Sequence, residues 1–370
     1  YFGLSTAFAP WVSAARAGEA YANLRQPNQF TTLCWLGAAV LLWAPLPGFT
    51  ANGRRALMAL LAIGSAASVS RTGVLQGLLL TAMALGWPGQ GRRERMVLCA
   101  VAAIAYWAAV ALLPFVLEAT TGALPARTLW GRISGGESCS SRTVLWSNVL
   151  HLVAQKPWVG WGWGELDFAH FVSLYPGERF CDILDNAHSL PLHLAVELGI
   201  PAAVLLCGGA LAWASHRRPW REHDPQRRSA WAIVAVIALH SLLEYPLWYG
   251  PFQFAFGVAL GWLAPGIASV KRPPARAMTA GVATLLLAGI AYAAWDYWRV
   301  SQIYLPAEQR RAAWSGDPLA QAQRSKLFSA QARFAELTLT PVTRDNATQI
   351  AEMGHEMLHY SPEPRVIDRL

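Results

Sequence analysis

The chain has 370 residues, of which 54% are hydrophobic and 14% charged, against roughly a quarter charged in soluble globular proteins. That balance excludes an ordinary soluble enzyme, because the apolar residues gather into nearly uncharged runs of roughly 15 to 25, the length that a bilayer demands of a spanning helix. The formal charge of +8 does not point to nucleic acid: most arginines stand in short loops between apolar runs, the positive-inside pattern, and no RNA- or DNA-binding module is recognised.

In chain order, the opening YFGLSTAFAPW lacks a methionine and a charged leader; it reads as the end of a severed span in a piece of a longer protein. Four spans follow, on FTTLCWLGAAVLLW, RALMALLAIGSAASVS, TGVLQGLLLTAMALGW and MVLCAVAAIAYWAAVALLPFVL, and complete an N-terminal transmembrane part over residues 1–117. A long loop occupies 118–188. A C-terminal transmembrane part over 189–299 carries four more spans, on LPLHLAVELGIPAAVLLCGGALAW, AWAIVAVIALHSLL, PFQFAFGVALGWL and AMTAGVATLLLAGIAYAAW. Residues 300–370 form a polar tail of amphipathic stretches, predicted as a small helical extension. The expected fold is therefore an all-α polytopic membrane protein with about eight transmembrane helices. Basic loops at Arg54, Arg92, Arg217 and Lys271 mark one face as cytoplasmic, which puts the long loop, the EYPLWYG turn and the tail on the outside.

Cys34, Cys99 and Cys207 fall within spans and read as apolar fillers. Cys139 and Cys181 both lie in the long loop on the oxidising side; a disulfide, contributing about 3 to 4 kcal/mol by loop entropy, and two free thiols are both open readings.

Polar residues meet the membrane at separate points on that outer face. Asp185 and Asn186 are good N-caps, so His188 is expected in the first turn of the helix that enters the bilayer. Gln26 and Asn28 stand before one span, Arg71 between two others, Arg142 in CSSRTVLW, and His240, Glu244 and Tyr245 end another. His240 and Glu244, four apart, suit a pair on one helical face. Charges at a membrane boundary are costly and usually line a cavity or pair with each other. Arginine forks bind phosphate, and a near-neutral imidazole takes a proton from a hydroxyl. Together they describe transfer from a lipid-linked phosphate donor to an alcohol. The rings of WVGWGWGELDFAHF read either as interfacial anchors or as a sugar-stacking floor.

Two metal readings carry less. HEMLH, His355 to His359, matches the HExxH zinc-protease pattern with Glu356 as base, but prolines interrupt the helix just after it and no third ligand follows at the required spacing. His170, Asp182, Asp185 and His188 match no ligand template.

The ordered set NLRQPNQ, SRTG, SRTVLW, KPWVGWGWGELDFAHF, RFCDILDNAHSLPLHLAVELGIP and HSLLEYPLWY resembles the bacterial protein O-oligosaccharyltransferases of the pilin-glycosylating type, within the O-antigen ligase and polymerase superfamily. The resemblance implies a multi-pass inner-membrane enzyme with a periplasmic site. It implies a lipid-linked oligosaccharide donor on undecaprenyl diphosphate, en bloc transfer to Ser or Thr of an acceptor protein such as pilin, and neither a metal nor a nucleotide cofactor. By the same resemblance His188 is the essential loop histidine, Gln26 and Tyr245 are further catalytic residues, and Arg71 and Arg142 bind the donor diphosphate. Alternatives from other classes are a ligase or polymerase with a glycolipid or glycan acceptor, a transporter lined by His240, Glu244 and the arginines, and the HExxH metalloprotease.

Overall fold

In a computed structural model the described residues are 7–8, 12–13, 18–87, 91–122, 128–129, 131, 139–264, 276–310 and 316–370. Every regular element among them is helical. Helices α1 (Pro27–Trp43), α2 (Ala51–Ala67), α3 (Arg71–Gly86) and α4 (Arg92–Thr121) come first. Side-chain caps start three of them: Gln26, Thr50 and Ser70 each accept a backbone N–H from the first turn, removing one orphan donor per helix. The long loop then folds into α5 (Arg142–Gln155) and α6 (Leu166–Val172), two helices that apolar periodicity alone did not bring out. Next come α7 (Leu190–Leu198), α8 (Ile200–Arg217), α9 (Pro225–Ser241), α10 (Gly250–Leu263) and α11 (Arg276–Ser301). The tail holds α12 (Pro318–Ala322), α13 (Ser329–Leu339), α14 (Ala347–Leu358) and α15 (Pro364–Ile367).

Helix α1 is the axis of the main bundle, packing against α2, α3 and α9, while α4 covers α2 and α10 covers α9. Its central place explains why it buries polar Gln29, Thr31 and Thr32 as well as Leu36, Leu41, Leu42 and both its tryptophans. A second core, built on Leu145, Leu152, Leu166, Phe180, Leu184 and Val196, joins α5, α6 and α7. The tail core of Phe334, Leu337, Ile350, Met353 and Met357 packs against Phe168 and Phe171 of α6, so the tail is docked on the loop that leads to His188.

Apolar side chains are turned outward on α8, α10 and α11, where Leu205, Phe254, Leu285 and Ile290 are exposed, as suits a membrane protein. Two segments, Arg92–Thr121 and Arg276–Tyr304, are long and apolar enough to cross a membrane. Helices α1, α2, α3, α8, α9 and α10 have 14 to 18 residues, about 21 to 27 Å at 1.5 Å per residue, less than the ~30 Å of a hydrocarbon core. The described residues are therefore all-helical, as suits a membrane protein, with two segments rather than eight that meet the length for a crossing.

The expected single span over LPLHLAVELGIPAAVLLCGGALAW is broken at Gly199, with α7 on one side and α8 on the other. The break is filled by the WVGWG loop. Trp161 N–H donates to the Val196 carbonyl (2.8 Å), Gly162 N–H to Glu197 (2.9 Å), and Ile200 N–H to Pro157 (2.8 Å). The last carbonyls of α7 are thus satisfied by another segment's backbone. That approach needs two glycines facing each other. A Cβ on Gly199 would stand 2.3 Å from the Trp158 carbonyl oxygen, and one on Gly160 2.3 Å from that of Glu197. Both have positive φ, +88° and +68°, where side chains are strained.

Gly160→Ala and Gly199→Ala are each expected to cost at least about 2 kcal/mol, through backbone collision and strain. Thermal unfolding of purified protein in detergent checks this; Gly164→Ala, which meets nothing within 4 Å despite its φ of +78°, is expected to cost less.

Candidate active site

Glu244 lies just beyond α9, in the turn that ends the helix through Glu244 N–H to the His240 carbonyl, 2.8 Å. Its carboxylate is buried and collects three donors from three different elements. Oε2 accepts from His188 Nδ1 at 2.6 Å. Oε1 accepts from Asn28 Nδ2, in the first turn of α1, at 3.0 Å, and also from Arg142 Nη2, at the first position of α5. Burial by itself would raise the pKa of Glu244, but the His188 hydrogen bond and the Arg142 charge outweigh it, and the carboxyl is held below its ordinary value. The carboxylate is therefore ionised.

His188 precedes α7 instead of occupying its first turn. The cap position belongs to Ser189, which makes no side-chain cap bond. The Asn186 side chain turns the other way, its Oδ1 accepting the His188 N–H at 2.8 Å, an Asx turn that sets His188 at φ +49°. Asp185 is exposed beside it. The expectation that Asp185 and Asn186 cap the helix fails because a left-handed residue at 188 takes the chain out of register with the helix. In exchange the imidazole points sideways at Glu244. The Glu244 bond places a hydrogen on Nδ1 and leaves Nε2 as the ring's acceptor nitrogen.

Helix α5 fixes this segment. Cys139 and Cys181 form a disulfide, Cα–Cα 5.4 Å, tying the entry to α5 to the chain that leads to His188. Trp146 Nε1 donates to the Ala187 carbonyl at 3.0 Å. Asn148 bonds both Glu178 O and Phe180 N. From one face of α5, one helical turn apart, Trp146 thus meets the His188 segment and Arg142 meets Glu244.

The Tyr245 ring lies edge-on to His188, with centroids 4.9 Å apart, and stacks on Tyr249 at 6.0 Å. Burial first, then Tyr249, Asp185 and Glu244, push its hydroxyl pKa upward, so it stays a neutral donor. Arg71 is exposed at the start of α3, next to Ser70, whose Oγ donates to Asn28 Oδ1 at 2.6 Å. Gln26 is half-buried and caps α1, its Oε1 accepting Gln29 N–H at 2.7 Å.

The expected side-chain pair of His240 with Glu244 does not form. His240 Nδ1 bonds Thr32 Oγ1 at 2.8 Å, inside the bundle, because the helix ends between the two residues and turns Glu244 away. Thr32 also accepts from Gln76 Nε2 at 2.7 Å and donates to the Asn28 carbonyl at 2.8 Å. Thr32 and Gln76 were not singled out in the sequence; their signal is two polar residues on otherwise apolar helices. Of the metal readings, His170 bonds Tyr175 Oη and the Phe180 carbonyl within the loop core. In HEMLH, His355 Nδ1 contacts the Ala351 carbonyl, Glu356 pairs with Arg333, and His359 pairs with Glu165 and stacks on Phe168. The side chains of that motif go to three separate partners.

Two family models match the chain: the O-antigen ligase model over residues 56–207 and the virulence factor membrane-bound polymerase C-terminal model over residues 229–370. A general O-oligosaccharyltransferase of Acinetobacter baylyi is 27% identical over 265 residues, covering 68% of this chain and 45% of that protein. A ComP-specific O-oligosaccharyltransferase of the same organism is 24% identical over 261 residues, with the same coverage. The chain spans about half the length of these curated relatives. No solved structure matches it. The chain is thus similar to the O-antigen ligase and membrane-bound polymerase families and, over 68% of its length, to O-oligosaccharyltransferases.

Burial, with a smaller contribution from Arg179, pushes the His170 imidazole from 6.5 down to about 4. In that interval the unfolded chain takes up the proton and the folded loop does not, so stability is expected to fall as pH drops from 6.5 to about 4, by up to about 3 kcal/mol. Asp167, raised to about 6 mainly by burial, acts in the opposite sense over part of this range. A pH series of melting temperatures for wild type against His170→Gln isolates the histidine: the variant is expected to lose this acid-side decline.

Proposed function

We propose that the protein transfers an oligosaccharide en bloc from undecaprenyl diphosphate to a Ser or Thr hydroxyl of a periplasmic protein such as a pilin. The observation that carries this reading is the pairing of His188 Nδ1 with the buried Glu244 carboxylate at 2.6 Å, beside Arg142. A carboxylate behind an imidazole fixes its tautomer and stabilises the imidazolium formed when the other nitrogen takes a proton.

In the proposed reaction His188 Nε2 accepts the acceptor hydroxyl's proton while that oxygen attacks the anomeric carbon. The bond from carbon to the diphosphate oxygen breaks, and undecaprenyl diphosphate leaves with the electron pair. One displacement inverts the anomeric centre. Arg142 spends one donor on Glu244 and keeps the rest of its guanidinium fork for the diphosphate, with Arg71 as a second cation. Tyr245, kept protonated, donates a hydrogen bond to donor or acceptor, while Gln26 acts by capping the helix that presents Asn28. Cofactors have no role in this scheme. Helices α1 to α4, the broken pair α7–α8, and α9 to α11 are read as eight crossings of the inner membrane, with the ends carrying His188, Glu244 and Arg142 on the periplasmic side. The relatives named O-oligosaccharyltransferases support a protein acceptor. The O-antigen ligase match over 56–207 favours a second reading, in which a glycolipid receives the sugar.

Full-length protein reconstituted with a lipid-linked oligosaccharide and a serine-containing pilin peptide tests the proposal. His188→Ala is expected to lower peptide glycosylation about 10²- to 10⁴-fold while donor accumulates, and Glu244→Gln by at least about tenfold. Equal transfer by wild type and His188→Ala removes the histidine from the mechanism; sugar on a lipid acceptor alone selects the ligase reading.

A further inference from the structure

Beside the His188 group stand two indoles whose arrangement the transfer mechanism does not use. Trp163 is 65% and Trp248 45% exposed, yet their planes lie 13° apart with centroids at 6.5 Å. They come from separate loops. Trp163 follows Gly162, whose N–H is fixed on the Glu197 carbonyl, and Trp248 sits in the 3₁₀ turn Pro246–Trp248, with its N–H on the Tyr245 carbonyl at 3.2 Å. Behind them is the buried ring of His193, edge-on to Trp248 at 5.1 Å and to Trp163 at 6.4 Å. Trp248 shares its turn with Tyr245, the ring that abuts His188, and His193 lies on the helix that His188 precedes. The indoles thus continue the aromatic wall of the catalytic group.

We infer that the stacked Trp163 and Trp248 indoles are a sugar subsite, holding a pyranose ring of the donor oligosaccharide next to the His188–Glu244 pair. This rests on the transfer reading and adds to it the residues that recognise the glycan. A pyranose presents a face of C–H bonds, and the electron-rich face of an indole is its natural partner. Indoles that merely anchor a protein in the headgroup layer act one by one and need no common plane. These two are aligned, backed by a third ring and held by main-chain bonds, which is the preorganisation a binding surface requires. Within the reaction the saccharide is the partner that offers ring faces of C–H bonds; a serine or threonine acceptor brings a hydroxyl.

The test uses the full-length enzyme with an undecaprenyl diphosphate-linked oligosaccharide and a serine-containing peptide. Trp163→Ala and Trp248→Ala are each expected to raise donor KM about tenfold, with peptide KM unchanged and with Phe variants retaining most of the affinity. Undecaprenyl diphosphate without sugar, used as a competitive inhibitor, is expected to bind all variants equally. A direct measurement stands apart from transfer: indole fluorescence is expected to change on adding undecaprenyl diphosphate N-acetylglucosamine and not on adding undecaprenyl diphosphate, a difference the Ala variants lose. Unchanged donor KM, a rise in peptide KM instead, or equal weakening of the sugarless lipid each overturns the subsite, the last by making the indoles lipid contacts. Failure of the transfer reading shows itself separately, as no sugar passed to the peptide by the wild-type enzyme.

Discussion

The arrangement of this protein depends on one buried carboxylate. Glu244 is an anion at the rim of an apolar bundle, a position that costs several kcal/mol unless donors replace the lost water. Three do so, and they arrive from α1, from α5 and from the segment before α7. The charge therefore acts as a fastening point for parts of the chain far apart in sequence. Anything that places His188 must also place Arg142 and Asn28, since each satisfies the same group.

Geometry around that point is set by devices of different kinds. The Cys139–Cys181 disulfide and the Trp146 bond to Ala187 bring the start of α5 against the His188 segment. Beneath, Thr32, Gln76 and His240 form a polar layer that locks α1, α3 and α9 in register; inside an apolar bundle such bonds are specific because the alternatives leave polar atoms unpaired. On the far side, the reciprocal approach of Gly160 and Gly199 ends α7 early and docks the tryptophan loop on it. The tail then braces that loop through Phe168, and through Glu165 held by His359. These cross-links add to the second core, built on Leu145, Leu152, Leu166 and Val196, in fixing the segment that carries His188.

Helical class and membrane character were legible in the sequence because hydrophobic run length is a local property. His188, Arg142 and Tyr245 could be singled out for a related reason: polar side chains at the ends of apolar runs are conspicuous. Other particulars were not legible. Spacing of four made His240 and Glu244 look like a pair, but a helix end between them reverses that geometry, and helix ends are the least local feature of a helix. Asp185 and Asn186 suited capping by type, while the Asn186 side chain closed an Asx turn on His188 N–H and left His188 in a left-handed conformation ahead of the helix. HEMLH satisfied a pattern whose three side chains have other partners.

The sequence by itself determined that this chain is helical, that its apolar residues gather into long runs, and which ionisable groups stand where those runs stop. Only the tertiary structure decided which of those groups meet. Their meeting depends on a break at Gly199, a disulfide and a shared carboxylate, all of them contacts between residues distant along the chain, and no local pattern encodes a distance across a fold.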